Sequence, residues 1–304
     1  MSHKHDHMSP ESKDKRVAIA IWANAILTFA QIAGGIFAGS LALIADALHN
    51  FSDMAALVIA FAARKISRRP ADAKMTFGYG RIEVVAALIN YTTLIIIGLY
   101  LIYEGGMRII DPPEIKGWWV VWLGGIALAV DTLTALLTYS MQKDSVNIRA
   151  LFLHNLSDAL ASVAVIIGGA LILLYDLRWV DPAITIGIAS YILFLGLTEI
   201  GGTIRTLMLG SPLNIDTDAV ILALTRIAGV IDVHHVHCWQ MGEHEASLDA
   251  HVIVETSGWD QLEEIKLRIK MVLEKEFNIR HSTLEFEHPD YRHCDTDADV
   301  YGHG

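Results

Sequence analysis

The sequence contains little of what a disulfide-stabilised or ATP-driven protein needs. Only two of its 304 residues are cysteines, Cys238 and Cys294, and we expect both to be reduced cytoplasmic thiols. The phosphate-binding pattern Gly-x-x-x-x-Gly-Lys-Ser/Thr does not occur. Charged residues make up 19% of the chain and hydrophobic residues 53%, which is too apolar for an ordinary soluble protein of this size. The composition therefore predicts a membrane protein without an ATP-binding loop.

Long apolar stretches predict an α-helical membrane protein with six transmembrane helices. Each stretch is long enough, or nearly so, to cross a hydrocarbon layer of ~30 Å. They lie near 17–37, 39–63, 84–102, 118–140, 150–174 and 182–198. We do not expect the first to be a cleaved signal, because a charged tail precedes it and no small-residue cleavage site is present. Basic residues concentrate before span one, between spans two and three, and between spans four and five, which predicts that both termini are cytoplasmic.

After Leu209 the composition becomes that of a soluble domain. The pattern predicts two helices, 215–228 and 259–277, and three strands, 232–241, 246–255 and 282–287. The resulting α-β-β-α-β order predicts a small open sheet with helices on one face. From residue 208 onward there are 18 acidic and 7 basic residues, so the whole net charge of −11 lies here. Such a charge argues against a nucleic-acid partner and is compatible with cations.

These patterns divide the chain into four parts. We predict a cytoplasmic histidine-containing tail at 1–15, a six-helix transmembrane domain at 16–207, a cytoplasmic domain at 208–289 and a flexible tail at 290–304. Histidine and acidic residues cluster in both tails, and we interpret them as solvated tails in preference to metal scavengers.

One hexapeptide occurs twice, as LHNFSD at 48–53 and as LHNLSD at 153–158. Each copy sets a histidine and an aspartate four residues apart, on one helix face: His49 with Asp53, and His154 with Asp158. If spans two and five pack together, two nitrogens and two oxygens converge, the tetrahedral set that Zn²⁺ favours. A single intramembrane histidine or aspartate is as often a hydrogen-bonded packing residue as a ligand, but two repeated pairs favour ligands.

Other polar residues in the spans have open interpretations. Asp131 in span four either relays protons or supports the ligands, or it belongs to a local hydrogen-bond network. Asp46, one turn before His49, either orients that imidazole or packs helices together. Asn50 and Asn155 are candidate hydrogen-bond donors next to the histidines.

Four segments together resemble the cation diffusion facilitator family over nearly the full chain: ADALHNFSD in span two, FGYGRIE before span three, LHNLSD in span five and VHHVHCW in the tail domain. The short loop QKDSVNIRA lacks a histidine-rich insert and is similar to bacterial zinc exporters of the zinc/cadmium branch. The resemblance implies a homodimer in the inner membrane and proton-coupled export of Zn²⁺ by alternating access. Cd²⁺, Co²⁺ and Ni²⁺ stay open as alternative cargo.

The resemblance also implies a ferredoxin-like tail domain that binds zinc. The family's ligands fall on His234, on His251 and on Glu285 or Glu287. The alternating pattern of the strands agrees, because it turns Asp249, His251 and both glutamates outward. The alternative interpretation is a solvated acidic face without metal.

Two departures from the family pattern affect the prediction. Some members bind a further zinc in the loop before span three, but Met75 and Tyr79 occupy the histidine positions here, leaving Asp72 alone. We expect no such site. An acidic residue after span six, which in some members pairs across the dimer with the basic residue at Arg81, is replaced by Leu209. That pairing is therefore in doubt.

The predicted function is secondary transport rather than enzymatic catalysis. Zn²⁺ from the cytoplasm displaces protons from His49, Asp53, His154 and Asp158, and protons from outside later displace the metal. A membrane metalloenzyme and a metal-gated membrane sensor are the alternatives. Four protein ligands leave no open position for an activated water, which argues against the enzyme. Metal binding without flux would favour the sensor.

Overall fold

The computed structural model of the chain describes residues 25–139, 146–242, 245–255, 258–290 and 300–301, and of residues 137–139 and 146–155 it describes the backbone only. The first six helices are α1 (Ala25–Ala38), α2 (Leu41–Ser67), α3 (Ile82–Ile110), α4 (Gly117–Tyr139), α5 (Val146–Tyr175) and α6 (Val180–Leu207). Within the described part, α2 to α6 are each long and apolar enough to cross a membrane, while α1 is shorter. The predicted α-helical membrane part is confirmed.

Several helices extend beyond the apolar stretches that predicted them. The pattern predicted span six at 182–198, whereas α6 continues to Leu207, and span three at 84–102, whereas α3 reaches Ile110. Hydropathy detects only the segment that suits hydrocarbon, and a helix keeps its backbone hydrogen bonds where it enters water.

The described residues form two compact units. The helical unit comprises residues up to 59 together with 89–199, and the tail unit comprises 60–88 together with the residues from 200 onward. The tail unit therefore includes the last turns of α2 and the first turns of α3.

In the helical unit, α2 is the central helix. Its Leu43 packs in one buried cluster with Val120 of α4 and Val165 of α5, and its Ala45 packs in another with Leu101 of α3 and Ala189 of α6. Because α2 contacts four other helices, polar side chains on it are held inside protein rather than in lipid. This is the environment in which an intramembrane histidine or aspartate is tolerated.

The first turn of α2 is fixed by a carboxylate from another helix. Gly39 precedes it with a φ of +74°, and a Cβ at Gly39 would lie 2.7 Å from the Glu114 carbonyl oxygen. Asp181, the second residue of α6, is buried and accepts hydrogen bonds from the Ser40 hydroxyl and from the backbone N–H groups of Leu41 and Ala42. The carboxylate thus satisfies N–H groups that a helix start leaves without partners.

The tail unit contains the predicted α+β domain. Its elements are α7 (Thr217–Thr225), β1 (Val230–Gln240), β2 (Ala246–Val254), α8 (Trp259–Phe277) and β3 (Ile279–Glu287). The sheet order is β1-β2-β3, with β1 antiparallel and β3 parallel to β2, as a helical crossover through α8 requires. The α-β-β-α-β prediction is confirmed, although β3 begins at Ile279 rather than at residue 282.

A β-bulge interrupts the pairing of β1 with β2. His234 pairs with His251 and His237 pairs with Asp249, so β1 has one more residue than β2 between these pairs. His235 lies in the bulge with a φ of +51°. The extra residue shifts the alternation, so that Val233 and Val236 both face the core.

Candidate metal centres

The helical unit brings three of the four predicted transport ligands together. His49 Nε2 lies 3.6 Å from Asp53 Oδ2 on the same helix and 3.4 Å from Asp158 Oδ1 on α5. Two donors bound tetrahedrally to one Zn²⁺ are separated by roughly 3.3–3.6 Å, given metal–ligand bonds of about 2.0–2.2 Å. Both separations therefore suit a shared ion.

The burial of these side chains is uneven. His49 and Asp158 are buried, with side-chain exposures of 8% and 9%, while 31% of the Asp53 side chain is exposed. Asp53 is therefore the most accessible of these three side chains to solvent and to an arriving metal ion. The side chains of His154 and Asn155 lie outside the described part, so their predicted roles stay predictions. The backbone of α5 sets residue 154 one turn before Asp158.

Besides Asp181 at the start of α6, two further carboxylates are buried in the helical unit. Asp46 accepts a hydrogen bond of 2.8 Å from Gln31 Nε2, and Asp131 accepts one of 2.9 Å from Ser162 Oγ. Asp46 also lies within electrostatic range of Asp131, His49 and Asp158. Sequence reasoning missed Gln31 and Ser162, although a polar residue inside an apolar helix is a signal that would have found them.

The tail unit holds a second group of metal-binding side chains. The ligand atoms of His234, His251 and Glu287 all lie within 4.8 Å of one another. Glu287 Oε1 is 2.9 Å from His251 Nδ1, and its Oε2 is 3.6 Å from His234 Nε2. The β1–β2 pairing sets the two histidines opposite each other, which explains how a sheet assembles residues so distant in sequence.

The prediction that Glu287 faces solvent is wrong. Only 2% of its side chain is exposed, because the rings of His234 and His251 lie beside it with centroids 5.4 Å apart. Glu285 is exposed as predicted, and its Oε2 is 3.5 Å from His251 Nε2. The two glutamates, which the pattern treats alike, therefore differ in burial.

The buried atoms of this group fit a divalent cation. Glu287 Oε2 and His234 Nδ1 are buried, and neither has a hydrogen-bond partner among the described residues. A buried carboxylate oxygen without a hydrogen bond is costly, and a metal ion held by two imidazoles and a carboxylate removes that cost.

The loop before α3 uses its one acidic residue internally. Asp72 accepts hydrogen bonds from the backbone N–H groups of Lys74 and Met75 and from the Tyr79 hydroxyl. The Tyr79 hydrogen bond is the main cause that holds the pKa of Asp72 below its usual value.

Arg81, whose family partner is replaced by Leu209, donates a hydrogen bond of 3.3 Å to the Gln240 carbonyl of the same chain.

Comparison with known families decides the identity. Residues 17–208 match the cation efflux transmembrane domain, and residues 212–289 match the cytoplasmic domain of cation efflux proteins. The chain belongs to the cation efflux, or cation diffusion facilitator, family. As a family member it is a multi-pass membrane transporter of metal cations, and its relatives are transporters rather than enzymes.

Three relatives illustrate the range of the cation efflux family. The metal cation efflux system protein CzcD of Cupriavidus metallidurans is 33% identical over 94% of this chain and 89% of its own length. A cadmium, cobalt and zinc/H(+)-K(+) antiporter of Bacillus velezensis is 33% identical over 97% and 95%. The zinc transporter ZitB of Pectobacterium atrosepticum is 33% identical over 98% and 91%.

Proposed function

We propose that this cation efflux protein exports Zn²⁺ from the cytoplasm in exchange for H⁺, using His49, Asp53, His154 and Asp158 as the transport ligands. The observation that carries the proposal is the position of His49 Nε2, within 3.6 Å of one carboxylate and 3.4 Å of another in the protein interior. The fourth ligand, His154, is assigned because it occupies in the second copy of the hexapeptide the position that His49 occupies in the first.

Charge explains why metal and protons exchange at such a site. Two aspartates and two neutral histidines balance one divalent cation, so the loaded site carries no net charge into low dielectric. Without metal, two ionised carboxylates are costly there, and protons restore neutrality. Metal and protons therefore compete, which is the basis of antiport.

The names of the relatives support both parts of the proposal. One relative is named as a zinc transporter, and another as a cadmium, cobalt and zinc antiporter with H⁺ and K⁺. Zn²⁺ is the first candidate for this chain, because four nitrogen and carboxylate oxygen donors match its preferred tetrahedral coordination. Cd²⁺ and Co²⁺ are the next candidates.

In the same proposal, His234, His251 and Glu287 hold a resident Zn²⁺ in the tail unit, where the ion would supply a positive centre that fixes β1 against β3. We further propose a homodimer in the inner membrane with both termini in the cytoplasm. The basic residues Arg64 and Lys65 in the last turn of α2 and Arg68 and Arg69 just after it support this orientation.

The experiment is Zn²⁺ transport into proteoliposomes under an imposed pH gradient, comparing the natural chain with Asp158→Ala. We expect loss of flux, because the remaining ligands leave the metal complex with net charge. Asp111→Asn, an exposed aspartate in the loop after α3, is the matched control and should transport normally. Natural flux in Asp158→Ala would contradict the proposed site, and metal binding without flux in the natural chain would favour a sensor.

A further inference from the structure

A cavity of about 840 Å³ lies within the tail unit. Most of its walls come from three segments: the loop and first turn of α3 at 74–85, the linker at 209–211 and the β1 strand with the turn after it at 236–241. Asp249 of β2 and Tyr301 complete the lining. Since α3 begins at Ile82 and α6 ends at Leu207, the cavity adjoins the ends of two membrane-spanning helices. It is separate from the His234–His251–Glu287 group, none of which lines it.

Two cationic side chains line this cavity and keep most of their donors available. Lys74 and Arg81 form no ion pair within the described part of the chain. Arg81 gives one N–H to the Gln240 carbonyl, which leaves four of its donors for a ligand. Asp249 is the acidic residue among the lining side chains, and it lies opposite His237 in the β1–β2 pairing. The lining therefore favours an anion.

The remaining walls are largely apolar and exposed. Met75, Phe77 and Leu209 line the cavity and are exposed by 44%, 67% and 52%. Leu213, just beyond the linker, is 82% exposed. Large apolar side chains in water are unfavourable, but beside cations at a helix end they are typical of a surface in contact with lipid head groups. A small soluble anion would use the cations and leave these side chains uncovered.

We propose that this cavity binds one anionic phospholipid of the adjacent leaflet. Its phosphate lies between Lys74 and Arg81, and its glycerol and upper acyl carbons cover Met75, Phe77 and Leu209. Charge complementarity identifies the head group as anionic, and the apolar walls identify the ligand as a lipid rather than free phosphate. Because Arg81 also holds Gln240, the lipid joins the loop before α3 to β1 of the same chain.

The test counts bound lipids by native mass spectrometry of the purified full-length protein, titrated with phosphatidylglycerol or with phosphatidylcholine. We expect one tightly retained phosphatidylglycerol per chain and weaker retention of phosphatidylcholine. Each cation near a membrane surface contributes about a fivefold increase in affinity. Lys74→Gln should therefore weaken phosphatidylglycerol binding about fivefold, and Lys74→Gln with Arg81→Gln roughly thirtyfold.

The matched control is Lys65→Gln with Arg68→Gln, which removes the same charge from the last turn of α2 and the residue after it, neither of which lines the cavity. It should keep the phosphatidylglycerol preference. An equal loss in this control would show that binding is a general effect of positive charge and would overturn the proposal. The double variant also loses the Arg81–Gln240 hydrogen bond and could unfold for that reason. The single Lys74→Gln variant keeps this hydrogen bond, so its fivefold loss of binding tests the proposal by itself.

Two further measurements distinguish a bound phospholipid from free phosphate and from a second copy of the chain. Inorganic phosphate at millimolar concentration should not displace the lipid, and displacement would show a phosphate site without a lipid requirement. If a second copy of the chain covers the cavity instead, retention will be equal for both lipids and unchanged by the substitutions. Either outcome overturns the proposal without bearing on transport, which is measured separately.

Discussion

His49 Nε2 and Asp158 Oδ1, one from each copy of the repeated hexapeptide, lie 3.4 Å apart across the interface of α2 and α5. The contact joins segments that are 105 residues apart in the sequence. In the proposed four-ligand site, neither helix supplies all the donors, so a relative movement of α2 and α5 would change the distance between them. The proposed site would therefore bind metal strongly in one helix arrangement and weakly in another, as a transporter requires.

His49→Asp should change the selectivity of transport. The substitution replaces two nitrogens and two oxygens by one nitrogen and three oxygens, and it adds a negative charge to the metal-bound site. We expect weaker discrimination between Zn²⁺ and Cd²⁺, because the substituted site no longer has the two-nitrogen, two-oxygen set that suits Zn²⁺. The measurement is paired uptake of both ions into proteoliposomes at a fixed pH gradient.

His49→Asp should also alter proton coupling, since imidazole ordinarily titrates near pH 6.5 and a carboxylate does not. Asn50→Asp, which adds a carboxylate at the next position of α2, is the control for charge alone. If both variants transport and the Zn²⁺/Cd²⁺ rate ratio of His49→Asp equals that of the natural chain, His49 does not determine selectivity.

Glu287→Gln should remove metal binding from the tail unit and leave transport active. The amide keeps the size of the side chain but loses the buried charge that faces His234 and His251. We expect an affinity loss of at least about a hundredfold, because even loss of a partner behind a ligand costs 10–100-fold. The measurement is Zn²⁺ titration of chains that also carry Asp158→Ala, so that the tail group is observed.

Glu285→Gln is the matched control for the tail group, because Glu285 contacts the same histidine at 3.5 Å but is exposed. Its effect should be smaller, as an exposed carboxylate is well solvated without metal. A larger loss for Glu285→Gln than for Glu287→Gln would reverse the assignment of the ligand.

Asp181→Asn should destabilise the helical unit. An amide group accepts hydrogen bonds through one oxygen only, so it leaves part of the Ser40, Leu41 and Ala42 donors unsatisfied in a buried position. Such a loss costs about 1–3 kcal/mol of unfolding free energy. Thermal unfolding in detergent measures it. Asp176→Asn, five residues earlier and exposed beside Arg178, should change the stability by less than about 0.5 kcal/mol, and equal shifts would contradict the cap.

Cys238 should resist alkylation in the folded chain. Burial raises the pKa of its thiol to about 11, from an ordinary value of 9.0, so the reactive thiolate is about a hundredfold scarcer at pH 8 than in the unfolded chain. Stability should fall as the pH rises from 9 to 11, because the unfolded chain releases this proton first. In the Cys294→Ser variant, Cys238 is the one remaining thiol that iodoacetamide can label. Equal labelling rates of Cys238 in the folded and the denatured protein would contradict its burial.

The sequence was sufficient for those features that depend on local pattern. The apolar stretches identified the membrane helices, and the spacing of His49 and Asp53 placed both on one face of α2. Asp249 and His251, predicted to turn outward in β2, do alternate with the core residues Leu248 and Ala250. These inferences succeed because helix and strand periodicity is a property of a few neighbouring residues.

Features that depend on contacts between residues far apart in the sequence could not be predicted from the local pattern. Alternation turned Glu287 outward, and no local rule shows that two imidazoles from other strands cover it. Asp181 was not singled out, because its role depends on the start of α2, which is 140 residues away in the sequence. The Arg81–Gln240 hydrogen bond likewise requires knowledge of where β1 lies.

The β-bulge at His235 lets β1 carry one residue more than β2 without turning any side chain to the other face. Val233, Val236 and Cys238 face the core, while His234 and His237 pair with His251 and Asp249 of β2. If His235 were deleted, the residues on either side of it would alternate strictly and each would keep its present face. A shortening by a single codon at this position therefore preserves both faces of the strand, and related chains can lack this residue and still combine a histidine at position 234 with inward valines on both sides.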